Sequence, residues 1–313
     1  MSEMIATREG FGNELVQLGK ENDKIVVLSA DLEDATKAEY FKKEFPERFF
    51  NLGIAEQDLV GTAAGLSLQG FIPFVCSFAV FLTNRAYDMI RLDICYNHCN
   101  VKVVCSHAGV TVGEDGASAQ CLEDFALMRV LPTMSVICPV DTLEARKATR
   151  AIVTHPGPVY MRTSRAPFPV ITQESDPFII GQANVLREGN DVTIIACGLM
   201  VYEALQAADI LQKENIEARV VNMHTIKPID KKAIIDSAKQ TKAIVTAEEH
   251  QVFGGLGSAV AEVVTQGFPV PMEMVAVQDT FGETGSPQQL LEKFHLKAVD
   301  IAAAVRKVIK RKR

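Results

Sequence analysis

The run Val101-Lys102-Val103-Val104-Cys105-Ser106 leads directly into His107-Ala108-Gly109-Val110-Thr111-Val112-Gly113-Glu114-Asp115-Gly116-Ala117-Ser118. The first part is short, apolar apart from Lys102, and reads as a strand buried on both faces. The second part carries three glycines, a histidine and two carboxylates at the carboxyl end of that strand, which is where open α/β sheets place their sites. Its composition predicts a backbone bending closely around a ligand; a glycine-rich surface turn is the plainer alternative. Working outward, the same alternation recurs. Upstream lie a strand over Ile25–Ser29, a helix over Ala55–Gln69, a strand over Pro73–Cys76 and a long amphipathic pattern over Phe78–His98. Downstream come Met134–Pro139, a helix over Asp141–Thr154 and Val159–Arg162. Apolar strands alternating with helices predict a parallel sheet covered by helices.

Between Ser164 and Gly181, Pro167, Pro169 and Pro177 sit among polar residues without periodicity, which predicts a linker. The pattern then restarts, with strands over Asp191–Cys197, Ala218–Met223, Ala243–Ala247 and Met272–Val277. Helices are expected between them over Val201–Glu214, Asp230–Lys239 and Gly257–Gln266, with further helical segments after the last strand. The fold class is therefore α/β with two domains, residues 1–172 and a smaller 186–313, joined by a linker over 173–185. A length of 313 residues suits two average domains, and 23% charged residues suits a folded chain. A net charge of −7 speaks against a nucleic-acid binder. The basic tail (Lys307, Lys310, Arg311, Lys312, Arg313) reads as a solvated helix end. Residues Met1 to Arg8 lack an apolar signal core, and no apolar run is long enough to span a membrane. Cys76, Cys105, Cys138 and Cys197 lie in apolar runs and read as core residues of a protein in a reducing cytoplasm; Cys95-Tyr96-Asn97-His98-Cys99 has no second Cys/His pair at zinc spacing.

Two segments can carry chemistry. In Asn51-Leu52-Gly53-Ile54-Ala55-Glu56-Gln57-Asp58, an acid opens a helix whose first turns are small (Gly61, Ala63, Ala64, Gly65). By itself Glu56 reads as a carboxylate complementing a helix N-terminus. The His107–Ser118 loop is the other. It is no dinucleotide fingerprint, the chain has no phosphate loop, and Gly254-Gly255-Leu256-Gly257 reads as a tight strand-to-helix turn.

Gly53-Ile54-Ala55-Glu56-Gln57 and Val112-Gly113-Glu114-Asp115-Gly116 resemble the thiamine-diphosphate enzymes of the transketolase family. Ser77-Phe78-Ala79-Val80-Phe81, Met161-Arg162-Thr163-Ser164-Arg165, Thr225-Ile226-Lys227-Pro228 and Glu248-Glu249-His250 extend the resemblance along the chain. It implies a pyrimidine-binding domain followed by a transketolase C-terminal domain, and a cytoplasmic transferase of carbohydrate metabolism such as the pentose phosphate pathway. It also implies that Glu56 bonds N1′ of the cofactor's aminopyrimidine, so that the cofactor becomes its own base. Phe78 and Phe81 would border that ring, with Asp31 and Leu32 near the cofactor at a subunit contact. Arg8, His107 and Arg165 would form a cationic site for the phosphate of a sugar substrate, and Asp115 would hold a donor hydroxyl. Glu56, His107 and Asp115 are the catalytic candidates, and no metal ligand is expected in this chain.

Some positions depart from the family. Ala35 stands where many transketolases have serine, Ala119 where some have histidine, and Asn84 where an aromatic often flanks the pyrimidine. They leave the sugar open, a sulfonated ketose or branched-sugar phosphate included. The family's Gly-Asp-Gly motif for pyrophosphate and Mg²⁺ is absent from the sequence, and Met1 stands close to where the second half of a fused enzyme would start. The resemblance thus implies an N-terminal-half partner subunit carrying that motif and Mg²⁺, and self-association through the first domain into an α2β2 heterotetramer. Alternatives are the β subunit of a 2-oxo-acid dehydrogenase, a deoxyxylulose-phosphate synthase-like chain, and a scaffolding subunit without activity.

Overall fold

The computed structural model describes residues 3–312; Met1, Ser2 and Arg313 lie outside it. Seven strands form the first sheet, in the order Thr225–Lys227, Ser135–Ile137, Val159–Arg162, Lys102–Ser106, Ile72–Phe78, Ile25–Ser29, Phe49–Asn51. All neighbours run parallel except the Thr225–Lys227 edge. Strand alternation sorts the core into two layers. Val26 and Leu28 face the layer that holds Leu59, Val75, Ile90 and Val103. Ile25 and Val27 face the other, with Phe11, Leu15, Phe41 and Ile152. The helices Thr7–Glu21 and Thr142–Thr154 cover this second layer, and Gly10 packs so tightly on the Thr142 carbonyl that a side chain there would overlap it. Asp141 caps the latter helix by accepting from the Glu144 N–H at 2.9 Å.

The second sheet has the order Met272–Val277, Ile244–Gln251, Val192–Ala196, Ala218–Asn222, Asn184–Arg187, parallel except at the last strand. Its layer containing Ile195, Val221, Leu256 and Val260 is continuous with the first domain's core.

Several elements differ from the expected pattern. The Phe78–His98 pattern is not one helix: Ala79–Arg85 is α-helical, Tyr87–Met89 is a single turn, and Ile90–Tyr96 is a π-helix. The break falls at Ala86, which leaves helical geometry at φ −110° and ψ 18° and is fully buried. The proline-rich stretch contains a short strand, Phe168–Pro169, paired antiparallel with Met4–Ile5. Asp141 also reaches into it, accepting from the Ile171 and Thr172 N–H groups at 2.8 and 2.7 Å. Thr225–Lys227, far along the chain, completes the edge of the first sheet. All seven cysteines are buried and unpaired. In the basic tail, Lys307 and Arg311 pair with Glu273, and Lys312 donates to the Asp191 carbonyl.

Candidate functional site

The candidate residues collect at the carboxyl ends of the first sheet's parallel strands: Asp31 and Leu32 after Ile25–Ser29, Phe78 at the end of Ile72–Phe78, His107 after Lys102–Ser106, Arg165 after Val159–Arg162. Two of them are non-glycine residues in the left-handed region, Asp31 at φ 58° and His107 at φ 60°. Such backbones are concentrated at functional sites, because surrounding structure must hold them there.

Glu56 is the first residue of the Glu56–Leu68 helix, with its side chain 6% exposed. Its Oε1 accepts from Nη1 of Arg85 at 2.8 Å, leaving Oε2 without a protein partner among the described residues. The Arg85 guanidinium lies 4.4 Å over the ring of Phe81, one helical turn earlier. Phe81 stacks on Phe78 at 5.5 Å, and Phe78 stacks on the His107 imidazole at 3.7 Å. Acid, aromatic shelf and histidine therefore form one connected surface. Arg85 was not anticipated; its spacing of four from Phe81 on a helix was the available signal.

Arg8 and Arg165 stand close enough to His107 for their charges to act on it. Arg8, in the first turn of its helix, donates from Nη1 to the Ala35 carbonyl at 2.8 Å, while its Nε–H is buried without an acceptor. Burial lowers its pKa, and the charge of Arg165 lowers it further. Arg165 donates to the Val112 carbonyl and to Glu114 at 2.9 Å, with Asp115 at 3.9 Å. The two arginine segments are tied together where Thr7 Oγ1 meets Ser164 Oγ at 3.1 Å. In the expected trio of Arg8, His107 and Arg165, the histidine differs in charge from the arginines when no anion is bound. Burial, then the charges of Arg8 and Arg165, push the His107 pKa down to about 3, so His107 is a neutral group near neutral pH. Its Nδ1 lies 2.7 Å from Ser106 Oγ. With no anion bound it carries a hydrogen-bonding ring without a charge.

Among the remaining candidates, Asp31 exchanges hydrogen bonds with Asn51: Asn51 Nδ2 donates to its carboxylate and its own N–H donates to Asn51 Oδ1, both at 3.2 Å. Leu32 N–H donates to Ser29 Oγ at 3.2 Å. Asn84 turns outward to Glu123 at 3.1 Å, and Ala119 is buried in the turn after Gly116. Among the described residues no cluster of three or more His, Cys, Asp or Glu could hold a metal ion, and no helix is long and apolar enough to cross a membrane.

The loop is enclosed by the second domain, which composition gave no means of foreseeing. Gln120 Nε2 donates to the carbonyls of Val110 (3.2 Å), Gly113 (3.2 Å) and Glu283 (2.8 Å). Glu249, on the Ile244–Gln251 strand, accepts from the Thr111 N–H at 3.1 Å and its hydroxyl at 2.8 Å.

The family model described as "Transketolase, pyrimidine binding domain" matches residues 3–169, and "Transketolase, C-terminal domain" matches residues 181–301. The chain belongs to the transketolase family. It is 44% identical to the putative transketolase C-terminal section of Methanocaldococcus jannaschii, over 97% of this chain and 96% of that one. It is also 44% identical to the 6-deoxy-6-sulfo-D-fructose transketolase subunit SqwH of Clostridium sp. (strain MSTE9), over 97% and 95%. A solved split gene transketolase, described as an inactive beta4 tetramer, superposes with a TM-score of 0.91 at 51% identity, covering 99% of this chain and 100% of that chain. These relatives match end to end, and this chain is a transketolase subunit of the same kind.

The buried Glu56 carboxyl beside the Phe78–Phe81 shelf fits the pyrimidine half of thiamine diphosphate in chemistry: an acid for a ring nitrogen and an apolar face for a ring.

Proposed function

We propose that this chain, with a partner subunit, moves a two-carbon ketol unit from a ketose phosphate to an aldose phosphate. The observation that carries the reading is the unbroken series Glu56, Arg85, Phe81, Phe78, His107, which connects a pyrimidine-type pocket to the Arg8 and Arg165 pair. Thiamine diphosphate, when bound, supplies the nucleophilic carbon that these side chains lack. Glu56 would present its carboxyl to the aminopyrimidine, Phe78 and Phe81 would cover the ring, and Asp31 and Leu32 would border it at the subunit contact. Arg8 and Arg165 would bind the anionic end of the sugar, since two guanidinium groups already close together are stabilised by a dianion between them. The buried Nε–H of Arg8 supports this, because it needs an acceptor. His107 would add a hydrogen bond, and Asp115 would meet a donor hydroxyl. A sulfonated sugar is the second reading, favoured by the similarity to the SqwH subunit; a sulfonate carries less charge and would engage the same pair more weakly.

Pyrophosphate and Mg²⁺ would be held by a partner resembling the N-terminal half of a transketolase and carrying Gly-Asp-Gly, in an α2β2 assembly joined through the pyrimidine-binding domains. Mg²⁺ requires a few correctly placed protein oxygens. The chain alone, given thiamine diphosphate and Mg²⁺, should therefore bind the cofactor negligibly by calorimetry and turn over no sugar. Titrating in the partner should restore both together, peaking near a one-to-one ratio. Robust ketol transfer by this polypeptide alone, free of host enzyme, would overturn the division of labour.

A further inference from the structure

We propose that Glu249, in the second domain, is the positioning residue that sets the shape of the Val110–Asp115 loop, so that the second domain takes part in donor-sugar recognition without touching the sugar. The part about recognition rests on the function proposed above; the part about the loop does not.

The strand carrying Glu248-Glu249-His250 runs along the domain junction, and its alternation sends the three side chains to different tasks. Glu248 accepts from the N–H groups of Leu256 and Gly257 at 2.7 and 2.8 Å, so it closes the N-terminus of the Leu256–Gly267 helix. The His250 ring lies on the same side, stacked 5.1 Å from Phe125. Glu249 points the other way. Its Oε2 accepts hydrogen bonds from both the backbone N–H and the hydroxyl of Thr111, and Thr111 is itself 1% exposed.

A buried carboxylate is more often one half of an ion pair, and Arg162 is near. Yet Arg162 donates to the Glu249 backbone carbonyl at 3.0 Å, while its Nε faces Asp124 at 3.6 Å. The hydrogen bonds of the carboxylate go to the loop.

The loop is built to receive it. Gly109, at φ 81°, passes so close that a Cβ there would overlap the Glu249 carboxylate. Beyond Thr111, Gly113 faces Pro287 and Gly285, and Gly116 would place a side chain on Thr284, all residues of the second domain. The 3₁₀ turn Val110–Asp115 is irregular, since Gly113 leaves helical geometry at φ 84° and ψ −123°. The loop closes on itself through Gly109 N–H to the Cys121 carbonyl and Gly116 N–H to the Gly113 carbonyl, while the side-chain bonds to Thr111 come from Glu249 of the second domain. Glu249 holds the residue one step after the turn begins, between His107 on one side and Asp115 on the other. Moving that point would displace both groups relative to Arg165, which donates to the Val112 carbonyl of the same loop.

The test uses Glu249→Ala, Glu249→Gln and Thr111→Val in the chain reconstituted with its partner subunit, read by hydrogen–deuterium exchange and by steady-state kinetics. Glu249→Ala should raise exchange over residues 107–121 about ten-fold or more, the factor that corresponds to about 1.4 kcal/mol, while the strands Ile25–Ser29 and Val192–Ala196 stay protected. Glu249→Gln keeps an oxygen for Thr111 and should recover most of the protection. Thr111→Val loses only the hydroxyl bond and should raise exchange a few-fold. In kinetics, Glu249→Ala should raise KM for the ketose donor about ten-fold, with the affinity for thiamine diphosphate within two-fold of wild type. Unchanged loop exchange overturns the proposal, as does exchange that rises equally in all strands, which marks a general packing role. Loosened loop exchange without any change in donor KM overturns the part about recognition. A wild-type complex that transfers no ketol unit refutes the proposed function, and the exchange measurement still decides what Glu249 does to the loop.

Discussion

Replacing Glu56 by glutamine separates a chemical role from a structural one, because the two predict effects of different size. The Glu56 side chain is 6% exposed and its partner Arg85 is 50% exposed, joined at 2.8 Å. A hydrogen bond to a charged group contributes about 1.5–3 kcal/mol when sheltered, and exposed pairs contribute about 0–1 kcal/mol. With one partner half in solvent, and with the glutamine Oε1 still able to accept from Arg85, the loss of stability should be about 1 kcal/mol. In a protein of this size that lowers Tm by no more than about 4 °C. Turnover has a different scale. Glutamine cannot supply a proton to the cofactor's ring nitrogen, and loss of a placed proton-transfer group costs about 10²–10⁴-fold, equivalent to about 3–5 kcal/mol of barrier. The assay is ketol transfer by the complex reconstituted with its partner, with Tm and assembly measured on the same preparations. Arg85→Met is the control, since it removes the ion pair but keeps the carboxyl group. It should lower Tm at least as much as Glu56→Gln, which keeps the contact to Arg85, and keep turnover within about ten-fold of wild type. Turnover of Glu56→Gln within a few-fold of wild type would reduce Glu56 to a helix-end charge, and an Arg85→Met turnover loss as large as that of Glu56→Gln would place the effect in the pair instead of the proton.

Arg8→Ala or Arg165→Ala should each raise KM for phosphorylated sugars about ten-fold or more with a smaller loss in kcat. A hydroxypyruvate donor with a nonphosphorylated aldehyde should be much less affected, and equal impairment of both substrate pairs would make the arginines structural. Glu144, buried between the domains, accepts from the Val140 N–H at 2.7 Å and from Asn222 at 2.8 Å, and burial pushes its pKa up to about 8. Its folded pKa lies above the unfolded value, so this contribution to stability is full below the ordinary carboxyl range and is lost as pH rises towards 8. Glu144→Gln removes that loss, so the stability of the variant relative to wild type should increase by about 1 kcal/mol or more from pH 5 to pH 8 in denaturant titrations; a flat difference would mean that Glu144 is ionised in the fold.

The strands Ile25–Ser29, Val159–Arg162 and Met272–Val277 coincide with the runs that announced them. The first two are buried along their whole length, which writes itself as largely apolar sequence, whereas Met272–Val277 lies at a sheet edge and is buried only from Val275 onward. The Glu56–Leu68 helix was legible from its small and acidic first turns. The Thr7–Glu21 helix was not read, although Phe11, Leu15 and Leu18 form a stripe at helical spacing; that stripe is narrow because Thr7, Gly10, Gly12 and Gly19 share the buried face and pack closely without adding apolar side chains. Thr225–Lys227 pairs with a strand some ninety residues earlier, a contact that local pattern does not encode. The candidate residues too could be named one by one from motifs, while their relations could not.

What the sequence determined by itself, then, was local: where most strands and helices form, and that the candidate residues Glu56, His107 and Arg165 fall in segments that follow apolar strands. The tertiary structure decided which of these groups meet. It placed Arg85 on Glu56, turned Glu249 of the second domain onto the loop, and put His107 under Phe78 beside two guanidinium groups. The physical reason is that hydrogen-bonded secondary structure depends on neighbours a few residues away, whereas the charge state of a side chain depends on its desolvation and on every ion near it in space, and those ions come from segments the chain brings together only when it folds.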